Sequence, residues 1–515
     1  MIDKNKLKSF LLQYGILIVI VLLKLGLQYA LVNPTYDLHR DEYLHLDQAF
    51  HPAAGYISVP PFTSWVAGLI YLLGGGVFWI RFFPALFGAL TLVFAWLTVE
   101  TLGGKLAAKL LVSVSLLFSV YVRLNVLFQP NSFDILVWTM LFYLLIKYFQ
   151  SRQDQWLYLA AVTAALGLYN KYTVMFLLVG LLIGILITYQ RTLFEQKSFY
   201  KAAALCLLLF LPNIVWQITN DFPVLHHMEV LKQRQLININ RADFLIDQIK
   251  YGVVGFVTVS AFWALLFSKV FRPYRFVGHT FLIVMLLFTL SRAKSYYTLG
   301  LFPVLFALGG VYLEQVFKKW KIVLFLVLAG MHVGAFFFAV RYLMPYQDPA
   351  QIVANPEPYE NLDLLRWEDG KNHPLPQDFS DMLGWREMAG KALKGYHMIP
   401  ENERERTMIF CDNYGQTGAL NYYNRYKMPP ANSFTADYIF WLPEHMEIKH
   451  ILFVGELPEQ EVLDLFKEFK LVGTVENEFA REKGTNIYLL LGAKESATEI
   501  FYREANERKN NLDIF

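Results

Sequence analysis

The stretch 36–65, YDLHRDEYLHLDQAFHPAAGYISVPPFTSW, holds the residues whose types and spacing could do chemistry. His39, Arg40, Asp41, Glu42, His45, Asp47 and His51 fall within roughly one short helix if the segment is helical. Neighbouring helical residues point about 100° apart, so Asp41 and Glu42 would do different work: one carboxylate acts as general base, the other orients a hydroxyl-bearing substrate. The plainer reading is an N-cap and a solvated loop. A third reading sets Asp41 and Glu42 at i,i+4 and i,i+3 to His45, a grip for a divalent metal. Further ligands at clear spacing are missing, so a metal at Asp41, Glu42 and His45 is not favoured and no cofactor is expected.

A second group is cationic and aromatic. Lys171 lies between two apolar runs, and Arg292 and Lys294 lie at another junction, beside Tyr296 and Tyr297. A charge at mid-bilayer costs about 2.5–3.5 kcal/mol and much less at the interface, so these could be snorkelling anchors. The alternative is a set of fixed cations with tyrosine hydroxyl donors for a lipid phosphate. Asp134, with Asn131 and Ser132, reads as the N-terminal cap of the next span or as part of the same polar set.

The chain that must position these groups has 515 residues, 55% hydrophobic and 17% charged, with a mean hydropathy of +0.35. That balance points to a polytopic α-helical membrane protein. A net charge of +3 is too small to argue for nucleic acid. Cys206 and Cys411 supply neither a disulfide framework nor metal-ligand spacing. Apolar runs near 11–31, 82–102, 106–125, 132–149, 155–170, 172–190, 201–218, 250–270, 276–292, 296–315 and 321–343 give about 11 transmembrane helices. The first run carries Lys24 and lacks a small-residue cleavage site, so it reads as an uncleaved span.

The run 62–80, with Trp65 and Trp79, is decided by charge. If it lies along the surface and the N-terminus is cytoplasmic, nearly every basic short loop falls inside, from Lys105 and Lys109 to Lys318 and Lys319. If it spans, they fall outside. The first assignment is adopted, with 62–80 interfacial or re-entrant and the polar sites on the outer face. Beyond Pro345, Pro349, Pro356 and Pro358 the composition turns polar, with a helix expected near 380–395, strands at 407–410, 450–454 and 486–491, and a helix at 458–469. The expected organisation is a transmembrane domain, 1–343, whose first outer loop with interfacial helices is 33–80, followed by a soluble extracytoplasmic α/β domain, 344–515.

Taken in order, DEYLHLDQ, GYISVPPFTSW, RFFPALFGALT, FQPNSFDILVW, GLYNKYT, LPNIVWQ and AKSYYTLGLFPVL resemble the integral-membrane glycosyltransferases of the GT-C fold. The branch is that of protein O-mannosyltransferases and the lipid A aminoarabinose transferase, and the resemblance covers about residues 10–343. It implies that Asp41 is the catalytic carboxylate, with Glu42 in the second carboxylate's place. Pro60 and Pro61 match the motif beside the docked lipid phosphate, and His45 and Tyr56 join the binding set. Val59 and Leu44 stand where relatives carry cations, so phosphate binding falls to Lys171, Arg292 and Lys294 with Tyr296 and Tyr297.

The implied reaction is inverting transfer of a sugar from a polyprenyl-phosphate donor to a hydroxyl of a lipid, glycan or protein, at the outer face of a bacterial cytoplasmic membrane. No Gly-rich phosphate loop suggests a nucleotide sugar. The tail CDNYGQTGALNYYN, 411–424, resembles the extracytoplasmic part of some relatives, either capturing acceptor or capping the fold. No catalytic residue is assigned there. The competing class is a transporter or flippase of lipid-linked sugars, which would show midplane polar residues and paired halves. Here the charges gather at one face, and no repeat is visible.

Overall fold

A bilayer core about 30 Å thick takes a helix of about 20 residues, and the computed structural model shows how far each apolar run meets that length. It describes residues 4–234, 236–250 and 255–511. The chain divides into two units: Met1–Val32, Gly75–Trp216 and Gln235–Met344 form the first, and Asn33–Gly74, Gln217–Arg234 and Pro345–Phe515 the second.

In the first unit each run expected to span carries a helix, from Lys4–Ala30 to Lys321–Leu343. Among the described residues six helices are long and apolar enough to cross a membrane, or seven if the bent pair Thr173–Leu186 and Tyr189–Glu195 is one span. The expected count of eleven is therefore not confirmed. Leu106–Leu117 and Phe256–Phe267 have 12 residues each, about 18 Å of helix, and residues 251–254 of the 250–270 run lie outside the described residues. The run 62–80 is also two pieces. Phe62–Leu72 is an 11-residue helix, too short to cross, and Trp79 belongs to the first turn of Val77–Thr101. Gly74 and Gly75 separate them with φ of +105° and +67°, a left-handed backbone that glycine adopts without a Cβ clash.

Small residues let these helices approach. Gly180 and Gly184 lie on one face of Thr173–Leu186, and a Cβ on either would come within 2.6 Å of Val284 or Thr280 on Arg275–Leu290. The Thr280 hydroxyl donates to the Gly180 carbonyl at 3.2 Å, the kind of close crossing that stands in for a hydrophobic drive in lipid.

The second unit is built on a five-stranded mixed sheet: β1 Thr407–Cys411, β2 Ala431–Asn432, β3 His450–Gly455, β4 Phe466–Thr474 and β5 Asn486–Ala493, in the order β2-β1-β3-β5-β4. β1 runs parallel to β2 and β3, and β5 is antiparallel to β3 and β4. β1 and β3 are continuous apolar runs buried on both faces, which is why they read as strands in sequence. The helix expected at 458–469 is corrected to one turn, Gln460–Leu463, followed by edge strand β4. Phe466 pairs with Ala493 at its start, and the exposed Lys467, Glu468 and Lys470 blunt the open edge. The helix near 380–395 is Trp385–His397.

Two devices fasten the residues after Asn33 to this sheet. The Arg40–Asp47 helix packs on the Tyr414–Asn424 helix through Gly418, where a Cβ would sit 2.8 Å from the Tyr43 Cβ. Asp437, 1% exposed, accepts from the Ile57 amide at 2.7 Å and from Gln48 Nε2 at 2.9 Å. Burial pushes its pKa up to about 6.

Gly418→Val should overpack the seam and cost about 1–3 kcal/mol, read as a lower denaturation midpoint in detergent; an unchanged midpoint would show that the seam does not hold the fold. Asp437 yields a pH signature. Its folded pKa lies above the unfolded value of about 4, so its contribution is fully present below about pH 4 and is lost as pH rises through 6. Asp437→Asn cannot ionise, and its midpoint should therefore rise relative to wild type between pH 4 and pH 8. A pH-independent difference would count against a buried, titrating Asp437.

Candidate active site

The Arg40–Asp47 helix starts with a reciprocal cap. His39, extended at φ −71° and ψ 146°, accepts from the Asp41 amide through Nδ1 at 3.2 Å, while its own amide donates to Glu42 Oε2 at 2.7 Å. This capping box satisfies the free amides of the first turn. It also separates the two carboxylates. Glu42 is 0% exposed and turned back onto the cap, whereas the Asp41 side chain remains 37% exposed.

Asp41 is surrounded by donors and cations. The Tyr414 hydroxyl donates to Oδ1 at 2.8 Å, His39 Nδ1 lies 3.8 Å from Oδ2, and the Arg40 guanidinium lies 4.4 Å over the Tyr414 ring. Burial alone would raise the Asp41 pKa. The electrostatic contributions of His39 and Arg40 and the Tyr414 hydrogen bond outweigh it and bring the carboxyl down to about 2. Tyr414 moves the other way: burial pushes its pKa well up, so its hydroxyl stays a donor. Behind this group Asp381 pairs with Arg481 at 3.1 Å, lies 3.6 Å from His39 Nε2, and accepts the Arg40 amide on its carbonyl at 3.1 Å.

The other residues expected in this stretch are placed inside the fold. His45 is buried, with Nδ1 3.3 Å from Gln48 Oε1, and burial pushes its pKa down. The Tyr56 hydroxyl lies 2.8 Å from the His51 carbonyl, 3.0 Å from that of Gln48 and 2.9 Å from Ser64 Oγ, so it closes its own loop. Pro60 and Pro61 are buried, and Pro61 caps Phe62–Leu72. Among the described residues no three His, Cys, Asp or Glu side chains, Asp41, Glu42 and His45 included, are grouped to hold a metal.

The cationic group lies in the first unit. Lys171 Nζ donates to Asn131 Oδ1 at 2.8 Å and lies 3.9 Å over the Tyr297 ring and 5.3 Å over Tyr296. Lys171, Tyr296 and Tyr297 are therefore brought together. Arg292 instead donates to the Ile237 carbonyl at 3.0 Å, from a left-handed backbone at φ +52°. Lys294 precedes the 3-10 turn Ser295–Leu301 as its N-cap. Asp134 does not cap Pro130–Ser151, whose N-cap is Gln129; it lies one turn in and accepts from Trp138 Nε1 and Thr173 Oγ1, each at 3.0 Å.

Tyr414, Asp381 and the stacking of Arg40 escaped the reading of the sequence. The local signal that was there is Asn413 with Gln416, a capping box that puts Tyr414 in the first turn of its helix. Nothing local says which residue, 373 positions away, that tyrosine meets.

Residues 58–216 match the family described as dolichyl-phosphate-mannose-protein mannosyltransferase. No curated protein matches the chain. Among solved structures, ArnT from Cupriavidus metallidurans bound to undecaprenyl phosphate is similar at 14% identity and a TM-score of 0.61, over 93% of this chain and 100% of that one. The same protein in the apo state gives 14% identity and 0.61 over 94% and 100%. At that identity the likeness is one of fold, and it extends well beyond the residues of the family match. The chain is a multi-pass membrane protein with the GT-C fold of integral-membrane glycosyltransferases.

Proposed function

We propose that the chain transfers a sugar from a polyprenyl-phosphate-linked donor to an acceptor hydroxyl, with inversion, at the outer face of a bacterial cytoplasmic membrane. The N-terminus is then cytoplasmic and residues 344–515 extracytoplasmic. The observation that carries this reading is Asp41: an accessible, ionised carboxylate held by Tyr414, Arg40 and His39 just after the first apolar helix, in a chain that shares its fold with a protein crystallised with undecaprenyl phosphate.

The acceptor oxygen attacks the anomeric carbon, forming the new C–O bond while the bond to the phosphate oxygen breaks. That electron pair leaves with the lipid phosphate, and the hydroxyl proton passes to Asp41 and then to water. A carboxyl with a pKa of about 2 is a weak base, so Asp41 orients the hydroxyl first and takes its proton only once bond formation has acidified it. The leaving group is a stable anion and needs cations rather than a general acid. Lys171, over the rings of Tyr296 and Tyr297, is the cation this reading assigns to it, with Lys294 close to the two tyrosines in sequence, while Arg292 is directed to the Ile237 carbonyl. Glu42 braces the helix cap that aims Asp41, and His45, Tyr56, Pro60 and Pro61 shape the loop that follows.

The donor can be identified by mass spectrometry, from the hexose- or pentose-sized increment lost from envelope lipids, glycans or proteins when the gene is deleted. With that sugar on a labelled polyprenyl phosphate, Asp41→Asn should lower transfer by about 10²–10⁴-fold and retain undecaprenyl phosphate binding. Lys171→Met should weaken that binding by about tenfold, the loss of one charge-assisted contact. Unchanged turnover in Asp41→Asn sinks the reading, as does a deletion strain with no altered increment.

A further inference from the structure

The Asp41 side chain sits in the first turn of a short helix, partly open to solvent, where a carboxylate can choose among several rotamers. The Tyr414 side chain restricts that choice. The Tyr414 hydroxyl reaches Oδ1 at 2.8 Å, a hydrogen bond of ordinary length to an ionised acceptor. Tyr414 has little freedom of its own. Asn413 Oδ1 caps its helix by accepting from the Gly415 and Gln416 amides at 3.0 and 3.1 Å, and Gln416 Oε1 accepts from the Asn413 amide at 3.3 Å. Glu482, just ahead of β5, anchors that cap by accepting from Gln416 Nε2 at 2.6 Å and Asn413 Nδ2 at 3.3 Å.

The helix is also pressed onto the Arg40–Asp47 helix with no room to slide. A Cβ at Gly418 would come within 2.8 Å of the Tyr43 Cβ, and one at Gly415 within 3.3 Å of the Arg40 Cβ. The face of the Tyr414 ring carries the Arg40 guanidinium at 4.4 Å. A single side chain therefore holds the carboxylate by its hydroxyl and the adjacent cation by its ring.

We propose that Tyr414 is a positioning residue for the transfer reaction, fixing the Asp41 carboxylate in the rotamer that meets the acceptor hydroxyl, so that residues of the C-terminal sheet region are part of the catalytic apparatus. This rests on the role given to Asp41 above. The chain of contacts runs from Glu482 through Asn413 and Gln416 to Tyr414 and Asp41, and each link is a hydrogen bond or a neighbouring residue. Misplacing a reacting group by about 1 Å can cost about 10²-fold in rate, so a loose Asp41 should be felt in turnover more than in donor affinity.

Tyr414→Phe removes only the hydroxyl and keeps the ring under Arg40. Turnover of the labelled polyprenyl-phosphate sugar should be measured per folded molecule, beside the denaturation midpoint and the dissociation constant for undecaprenyl phosphate. The expected result is a kcat lower by about 10–100-fold, with the dissociation constant changed less than about twofold and activity not restored by cooling below the midpoint. An unchanged kcat per folded molecule overturns the proposal, as does a loss of turnover matched by an equal loss of undecaprenyl phosphate binding. Asp41→Asn run in parallel separates the two ideas. If it is active, the role of Asp41 fails; if it is inactive while Tyr414→Phe is normal, only the positioning role fails.

Discussion

Asp47 ends the Arg40–Asp47 helix as a carboxylate 5% exposed, and the seam with the C-terminal residues is built around it. Asn421, the Tyr438 hydroxyl at 2.9 Å and Arg425 at 3.2 Å all donate to it. An unpaired carboxylate there would cost several kcal/mol, and even a paired one gains little net stability. The three donors come from the Tyr414–Asn424 helix, its C-cap residue Arg425 and the later turn Ala436–Phe440, so a slide of the Arg40–Asp47 helix would break all three bonds. Arg425 extends the hold, lying 3.6 Å over Phe50 and 4.6 Å over Tyr71. Asp41 lies six residues earlier on the same helix, about 9 Å along its axis. Its relation to Tyr414 is therefore set by how Asp47 is seated.

The adjacent carboxylates show how one helical turn divides labour. In the sequence the angle between helical neighbours says that Asp41 and Glu42 do different work, but not what each one meets. In the fold the N3 position commits Glu42 to the His39 amide, and the change of direction between neighbours leaves Asp41 facing a different environment. Burial explains the rest of the stretch in the same way. The Tyr56 hydroxyl meets the Gln48 and His51 carbonyls and Ser64 Oγ, and His45 Nδ1 faces Gln48 Oε1, so each has polar contacts within the loop that carries it.

Much of the architecture is legible because its signals are local. Apolar runs become helices and continuous buried runs become β1 and β3, but the charged run from Phe466 also suits a helical period, and the helix expected at 458–469 gives way there to edge strand β4. Crossing length is less legible, since a hydropathy run such as 106–125 does not reveal that its helix ends at Leu117 and restarts at Tyr121. Long-range pairing is not legible at all. That Asn33–Gly74 folds with Pro345–Phe515 depends on contacts such as the Asp37 amide on the Met382 carbonyl at 2.7 Å. No local pattern encodes that partner.

Two carboxylates of the second unit are pushed in opposite directions by their environments. Asp437, buried among neutral donors, is pushed up to about 6, while Asp41, beside Arg40, His39 and the Tyr414 hydroxyl, is brought down to about 2. A base like Asp437 would lose part of its charge near neutral pH but would take a proton early. Asp41 keeps its charge across the physiological range and takes a proton late. That would suit the proposed displacement if breaking of the bond to the leaving phosphate runs ahead of bond formation, so that the acceptor hydroxyl becomes acidic late. In the proposed transfer this environment would suit electrostatic stabilisation and alignment of the acceptor more than outright deprotonation, and both would depend on where the carboxylate points more than on how strong a base it is.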